Sequence, residues 1–172
     1  MYDCGYDVSD YYSIDPIFGT LKDFKELLAI AHSNNIHIIM DMVLNHTSQL
    51  HPWFVESSSS RYNMKNDWYI WHDGFNGKPP NNWKSAYLSS AWEKNEMRRQ
   101  YYLHSFLKEQ PDLNWHNQQV KHAMFDMMQY WLDLGVDGFR FDVINYCYKD
   151  KNLRNNPFSF KPFNDQIEKY NK

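Results

Sequence analysis

The sequence predicts an α/β protein in which short strands run parallel and helices cross between them. Two observations favour this class. Apolar residues recur at helical spacing near residues 20–34 and near 120–132, and a short, largely apolar run follows each pattern directly. Such alternation is typical of a parallel sheet covered by helices. Two strands cannot complete a sheet or a barrel, so we expect the chain to be part of a larger α/β unit.

The composition excludes several classes of protein. The 172 residues have a formal net charge of −3 without a basic patch, which argues against a nucleic-acid partner. No apolar run approaches the roughly 20 residues that cross a bilayer, and the first residues lack a signal-peptide core, so no membrane association is expected. Cys4 and Cys147 are too few for a disulfide framework, which fits a cytoplasmic location. Aromatic residues reach 18%, so we expect rings to line a cleft as well as a core.

The first part of the chain predicts a polar loop, a helix and a strand. Residues 1–12 are rich in Tyr and Asp, and Thr20 with Asp23 predicts a capping box that opens the helix. The helix should end near Asn34, and residues 36–44 then read as a buried strand. Asp41 lies inside that strand and must be paired or hydrogen-bonded, because burying a bare carboxylate costs roughly several kcal/mol.

The residues after this strand admit three interpretations. Asn45 and His46 follow its carboxyl end, where α/β folds place their ligand sites. A ligand site and ordinary turn chemistry are about equally well supported. A metal site is the third interpretation, but Asp41 and His46 are five residues apart and would face opposite sides of a straight strand. We therefore predict no metal ligand.

The middle and last parts of the chain differ in pattern. Turn signals alternate with Trp and Tyr over residues 51–115, which predicts an inserted, loop-rich subdomain with a strand near residues 101–107. Residues 116–172 return to the main fold with a helix that Gly135 should end. In the next strand, Arg140 and Asp142 are two residues apart and point to one face. A guanidinium there favours an ionised carboxylate, which suits a nucleophile; a structural ion pair remains the alternative.

Three short motifs occur in order: Asp-Met-Val-Leu-Asn-His at 41–46, Gln-Pro-Asp-Leu-Asn at 110–114 and Gly-Phe-Arg-Phe-Asp at 138–142. Together they resemble the signatures of the α-amylase family, glycoside hydrolase family 13, in its α-glucosidase and oligo-1,6-glucosidase branch. The resemblance implies a partial (β/α)8 TIM barrel with subdomain B inserted after the third barrel strand. Residues 1–50 would hold the second loop, its helix and the third strand, residues 51–115 subdomain B, and residues 116–172 the third helix, fourth strand and tail.

The resemblance also implies a role for individual residues. Asp142 would be the catalytic nucleophile, and Arg140 would hold it ionised and oriented. It implies no cofactor and a small-molecule oligosaccharide as substrate. The residues expected to bind that substrate are Asp3, Tyr6, Asp41, His46 and Gln110.

The implied activity is that of a retaining, exo-acting α-glucosidase in carbohydrate metabolism. Val143, directly after the nucleophile, is associated with α-1,6 linkages in this branch, whereas the residues that follow look more like enzymes acting on α-1,4 or mixed substrates. A trehalose-6-phosphate hydrolase and a non-enzymatic module of the amino-acid transporter heavy-chain type remain open. Glu168 is the only Glu after Asp142, and its context does not match the family's acid/base. We therefore expect a fragment that is inactive alone.

Overall fold

The computed structural model describes residues 2–160 and 169–171. Glu168 lies outside the described residues. In chain order the elements are α1 (Leu21–Ser33), β1 (Ile39–Val43), α2 (Pro52–Ser59), β2 (Trp71–His72), β3 (Trp92–Asn95), β4 (Gln100–Leu103), α3 (Gln118–Leu134), β5 (Gly138–Asp142) and a short 3-10 turn (Ile144–Tyr146). They form a parallel sheet of β1 and β5 and an antiparallel sheet in the order β2-β4-β3.

Helix α1 begins and ends where its sequence signals predict. The Thr20 side chain accepts a hydrogen bond from the Asp23 backbone, and the Asp23 carboxylate accepts one from the Thr20 N–H at 2.7 Å. This reciprocal pair satisfies two of the backbone donors that a helix start leaves open. The helix ends at Asn34, as predicted.

Helix α3 packs one face into the core. Asn117 caps its start, and Gly135 ends it with a φ of +107°, a left-handed conformation that glycine adopts without a steric penalty. The apolar stripe predicted near residues 120–132 is incomplete at its end, since Leu132 is 42% exposed. The buried face consists of Val120, Met124, Met127 and Trp131.

Strands β1 and β5 run parallel, as predicted, and pair from Ile39 opposite Gly138 to Val43 opposite Asp142. The strand predicted at 36–44 is shorter and begins only at Ile39. Strand β5 is not fully buried, since Phe141 is 44% exposed. Within the described residues β5 pairs only with β1, so one of its edges and part of one face have no cover.

The residues between β1 and α3 contain α2 and the antiparallel sheet. A second buried cluster around Trp83, Trp92 and Leu103 lies in this segment. The strand predicted at 101–107 ends at Leu103, because the Ser105 N–H donates to the Asp112 carboxylate at 3.0 Å instead of continuing the sheet. The division of the chain at residues 50 and 115 stays a prediction.

Candidate active site

Three charged side chains meet where β1 and β5 end. Asp41 lies opposite Arg140 in the sheet, and the Nη1 atom of Arg140 lies 2.9 and 2.8 Å from the two Asp41 oxygens. The same Nη1 atom lies 2.7 Å from Asp142 Oδ1. Hydrogen bonding to Asp41 and the charges of both carboxylates raise the pKa of Arg140, which therefore stays a cation. One guanidinium nitrogen thus joins two carboxylates at the carboxyl edge of the sheet.

Tyr6 extends this cluster to the N-terminal loop. Its hydroxyl donates to Asp41 Oδ2 at 3.0 Å, and this hydrogen bond raises the pKa of Tyr6 above its ordinary value. The Tyr6 carbonyl oxygen lies 3.1 Å from His46 Nε2. The phenol and the carbonyl of one residue therefore bridge Asp41 and His46.

The chain bends at Asn45, between Asp41 and His46, so the expectation for a straight strand does not apply to this pair. His46 lies beyond the end of β1, where its backbone pairs with Asp112 in an isolated antiparallel bridge. Burial lowers the pKa of His46 below its ordinary value, so the imidazole is neutral near pH 7. Across residues 2–160 and 169–171, no group of three or more His, Cys, Asp or Glu residues is arranged to hold a metal ion.

Gln110 and Asp3 form the far end of the cluster. Gln110 is fully buried, and its Nε2 atom donates to Asp3 Oδ2 at 2.9 Å and lies 3.1 Å from His46 Nε2. The Asp7 carboxylate holds the loop in place by accepting from the Asp3 N–H at 3.1 Å. The structure therefore joins every predicted site residue into one continuous chain of polar contacts: Asp142, Arg140, Asp41, Tyr6, His46, Gln110 and Asp3.

Behind His46 lies a buried polar network that the sequence did not reveal as a unit. Lys149 Nζ lies 3.0 Å from Asp112 Oδ2 and donates to Asn45 Oδ1 at 2.8 Å. The Asp112 carboxylate also accepts from the Ser105 N–H at 3.0 Å and from its hydroxyl at 2.5 Å. Asp112 belongs to the Gln-Pro-Asp-Leu-Asn motif, but Lys149 lies in an irregular segment without a periodic pattern. Only the folded arrangement brings these residues together.

A cavity of about 640 Å³ lies away from this cluster, between the middle segment and residues 149–153. Trp71 is its largest aromatic ring, yet Arg98 Cζ lies 4.3 Å from the centre of one indole ring, and Phe54 stacks on the indole at 5.6 Å. Sugar rings bind on open aromatic faces, so Trp71 is poorly suited to stack a sugar. The polar cluster at the strand ends is the better candidate for an active site.

The family model described as "Alpha amylase, catalytic domain" matches residues 1–169. The chain belongs to the α-amylase family. No helix in the described part of this family member is both long and apolar enough to cross a membrane.

Two curated relatives of this α-amylase family member are similar over most of its length. It is 56% identical over 158 residues to a probable α-glucosidase of Rhizobium meliloti. The matched region covers 91% of this chain and 29% of the relative. It is 54% identical over 147 residues to the oligo-1,6-glucosidase of Parageobacillus thermoglucosidasius, covering 86% of this chain and 26% of that enzyme. The chain thus spans less than a third of the length of these relatives.

Solved structures show the same relationship. An α-glucosyl transfer enzyme superposes with a TM-score of 0.94 at 47% identity, over 97% of this chain and 34% of that one. The trehalose-6-phosphate hydrolase of Bacillus licheniformis superposes with a TM-score of 0.89 at 46% identity, over 96% of this chain and 29% of that one.

Proposed function

We propose that this chain supplies the nucleophile side of the active site of a retaining α-glucosidase. One observation carries the proposal: Asp142 lies at the carboxyl end of β5 with Oδ1 2.7 Å from Arg140 Nη1. The guanidinium fixes the direction of the carboxylate, and Asp41 fixes the guanidinium in turn. A nucleophile held this way has little freedom to lose when the substrate binds.

In the proposed reaction a carboxylate oxygen of Asp142 attacks the anomeric carbon of a terminal α-linked glucose. The bond from that carbon to the glycosidic oxygen breaks as a β-glucosyl ester forms, and the leaving oxygen takes a proton from an acid. Water then cleaves the ester and returns a proton to the same group. Asp41 is unsuited to be that acid, because its oxygens already accept from Arg140 and Tyr6.

A second carboxyl group is therefore needed, and retaining enzymes place it about 5 Å from the nucleophile. We infer that it belongs to a part of the enzyme outside the described residues. This inference underlies the expectation that the chain alone does not hydrolyse glucosides.

We further propose that the enzyme is exo-acting and holds the terminal sugar at the closed end of its pocket. Asp3, His46 and Gln110 place a carboxylate and two nitrogen-bearing groups within hydrogen-bonding distance of one another there. Sugar hydroxyls both donate and accept, so this mixture matches the end of a saccharide. Gln110 would reach the pocket from residues 51–115, which we propose form the inserted subdomain B.

The test uses the full-length protein that contains this chain. We expect hydrolysis of p-nitrophenyl α-glucoside, isomaltose and maltose, with Val143 favouring isomaltose. A 5-fluoro-α-glucosyl fluoride should trap the ester, and peptide mass spectrometry should place one fluoroglucosyl group on Asp142. Labelling of another carboxylate would refute the assignment. Saccharide binding without turnover, unaffected by Asp142→Asn, would favour the non-enzymatic module.

Trehalose-6-phosphate hydrolysis is the second candidate, because this chain superposes closely on such an enzyme. Trehalose 6-phosphate therefore belongs in the substrate panel. A kcat/KM for it above that for isomaltose and maltose would replace the first assignment, while labelling of Asp142 would be expected in either case.

A further inference from the structure

We propose that Lys149 is a positioning residue that sets the tautomer of His46 through the side-chain amide of Asn45. The inference rests on the proposed function, since it concerns how His46 presents its ring to the sugar. Lys149 hydrogen bonds to Asn45, Asp112 and the Tyr146 carbonyl oxygen rather than to His46 itself. Its effect must therefore pass through Asn45.

The first step fixes the orientation of the Asn45 amide. The Lys149 side chain is 2% exposed, and its ammonium group offers only hydrogen-bond donors. The Asn45 atom 2.8 Å from Nζ is therefore the acceptor Oδ1. The other side of the amide, Nδ2, lies 3.0 Å from Asp112 Oδ1 and donates to it. Reversing the amide would set its NH2 against an ammonium and its oxygen against a carboxylate.

The second step passes this orientation to His46. Asn45 Nδ2 also lies 3.0 Å from His46 Nδ1. Because an amide NH2 donates, Nδ1 must be the unprotonated, accepting nitrogen of the ring. The ring proton of the neutral imidazole then lies on Nε2, where it donates to the Tyr6 carbonyl oxygen at 3.1 Å.

The third step concerns what the pocket then presents. Gln110 Oε1 accepts from the Leu107 N–H at 3.0 Å, so the Gln110 atom beside His46 is the donor Nε2. The proton on His46 Nε2 is taken by the Tyr6 carbonyl oxygen, so the donor that remains beside the Asp3 carboxylate is the second N–H of Gln110 Nε2. A sugar hydroxyl can accept from this N–H while its own proton goes to Asp3. The opposite tautomer would leave Nε2 unprotonated, which would break the contact with Tyr6 and draw the Gln110 N–H onto Nε2, 3.1 Å away, instead of the sugar.

Nitrogen-15 spectroscopy of the full-length protein tests the proposal directly. With 15N-labelled histidine, we expect His46 to show protonated Nε2 and unprotonated Nδ1, with its signals assigned by comparison with His46→Gln. Lys149→Met removes one of the two groups that orient the Asn45 amide and leaves only Asp112, so the second tautomer should appear and kcat/KM should fall roughly tenfold. Lys151→Met, an exposed substitution two residues away, is the matched control and should leave the His46 signals unchanged. Unchanged His46 signals in folded Lys149→Met protein would overturn the proposal.

A second variant covers the case in which Lys149→Met does not fold. Asn45→Asp keeps the shape of the side chain and its contact with Lys149, but it replaces the donor that faces both Nδ1 and Asp112 Oδ1 with an acceptor. We expect Nδ1 to become protonated in this variant, and an unprotonated Nδ1 would contradict the proposal. Because the tautomer is observed without turnover, its outcome is independent of whether the protein hydrolyses α-glucosides. Failure of the proposed function would instead appear as the wild-type tautomer in a protein with no activity on the substrate panel.

Discussion

Two ionic clusters lie near the same edge of the parallel sheet, and they differ most in exposure. Arg140 and Asp41 have side chains that are 55% and 41% exposed, whereas those of Lys149 and Asp112 are 2% and 0% exposed. Ion pairs in water contribute little to stability, while a buried pair is tolerated only when further hydrogen bonds satisfy both groups. Within the described residues the exposed cluster, Arg140 with Asp41 and Asp142, is therefore open to a ligand, whereas the buried cluster, Lys149 with Asp112, serves the structure.

The number of polar partners supports this difference. Asp112 accepts hydrogen bonds from Ser105, Asn45 and Lys149, so no strong acceptor is left for a ligand. Within the described residues the polar side-chain contact of Asp142 is with Arg140 alone, through Oδ1. An incompletely satisfied carboxylate suits a nucleophile, whereas a fully satisfied one suits a supporting role.

The largest expected effect is on the exposed cluster. Asp142→Asn should lower kcat roughly 10⁴-fold or more, because the amide has no carboxylate with which to form the ester. Hydrolysis of p-nitrophenyl α-glucoside by the full-length protein measures this loss, and circular dichroism should show an unchanged fold. Asp133→Asn on the exposed face of α3 is the matched control and should retain activity. Activity retained by Asp142→Asn would remove Asp142 from the mechanism.

For the buried cluster we expect the main effect on stability. Asp112→Ala leaves the Lys149 ammonium buried without its counter-ion, so it should destabilise the full-length protein by about 3–5 kcal/mol. The thermal midpoint of the Asp112→Ala protein measures this loss of stability. Asp73→Ala breaks the exposed Arg61–Asp73 pair and should cost about 1 kcal/mol or less. Equal midpoints for the two variants would contradict the distinction between the clusters.

The pH dependence of stability tests the effect of burial on the His51 imidazole. Burial lowers the pKa of His51 from 6.5 to about 4, so the folded protein binds a proton there less readily than the unfolded chain. The contribution of His51 to the free energy of unfolding is fully present above pH 6.5. It decreases as the pH falls toward 4, by at most about 3 kcal/mol. His51→Asn keeps a hydrogen-bond acceptor at the start of α2, but the asparagine side chain does not titrate. The thermal midpoint of this variant should therefore depend less on pH than that of the wild type. His122→Asn on the exposed face of α3 should leave that slope intact.

Local patterns were sufficient to predict most of the exposed cluster and its scaffold. The capping box at Thr20, the left-handed end of α3 at Gly135 and the parallel pairing of β1 with β5 all depend on residues close in sequence or on strand alternation. Arg140 and Asp142 share a face because strand side chains alternate, and this required no knowledge of other elements.

The buried cluster was beyond such patterns because its contacts cross long stretches of sequence. Lys149 meets Asn45 across 104 residues, and neither lies in a helix or strand whose period would direct its side chain. The chain bends at Asn45, just before the backbone bridge of His46 with Asp112, and β4 ends early where the Ser105 N–H donates to the Asp112 carboxylate. Both features involve Asp112, a fully buried residue that lies outside any helix or strand.

The smallest expected effect separates charge from geometry within the exposed cluster. Arg140→Lys keeps the positive charge but replaces a rigid, planar donor with a shorter, flexible one, so it should hold either Asp41 or Asp142 well but not both. Loss of one charge-assisted hydrogen bond, about 1.5–3 kcal/mol, corresponds to a roughly 10- to 100-fold lower kcat/KM. Arg154→Lys is the matched control, because the Arg154 side chain is also 55% exposed and paired with a carboxylate, that of Asp150; it should leave kcat/KM unchanged. We expect the loss in kcat rather than in KM, because orientation of Asp142 matters most when the ester forms. A loss confined to KM would instead place Arg140 among the residues that only bind the sugar.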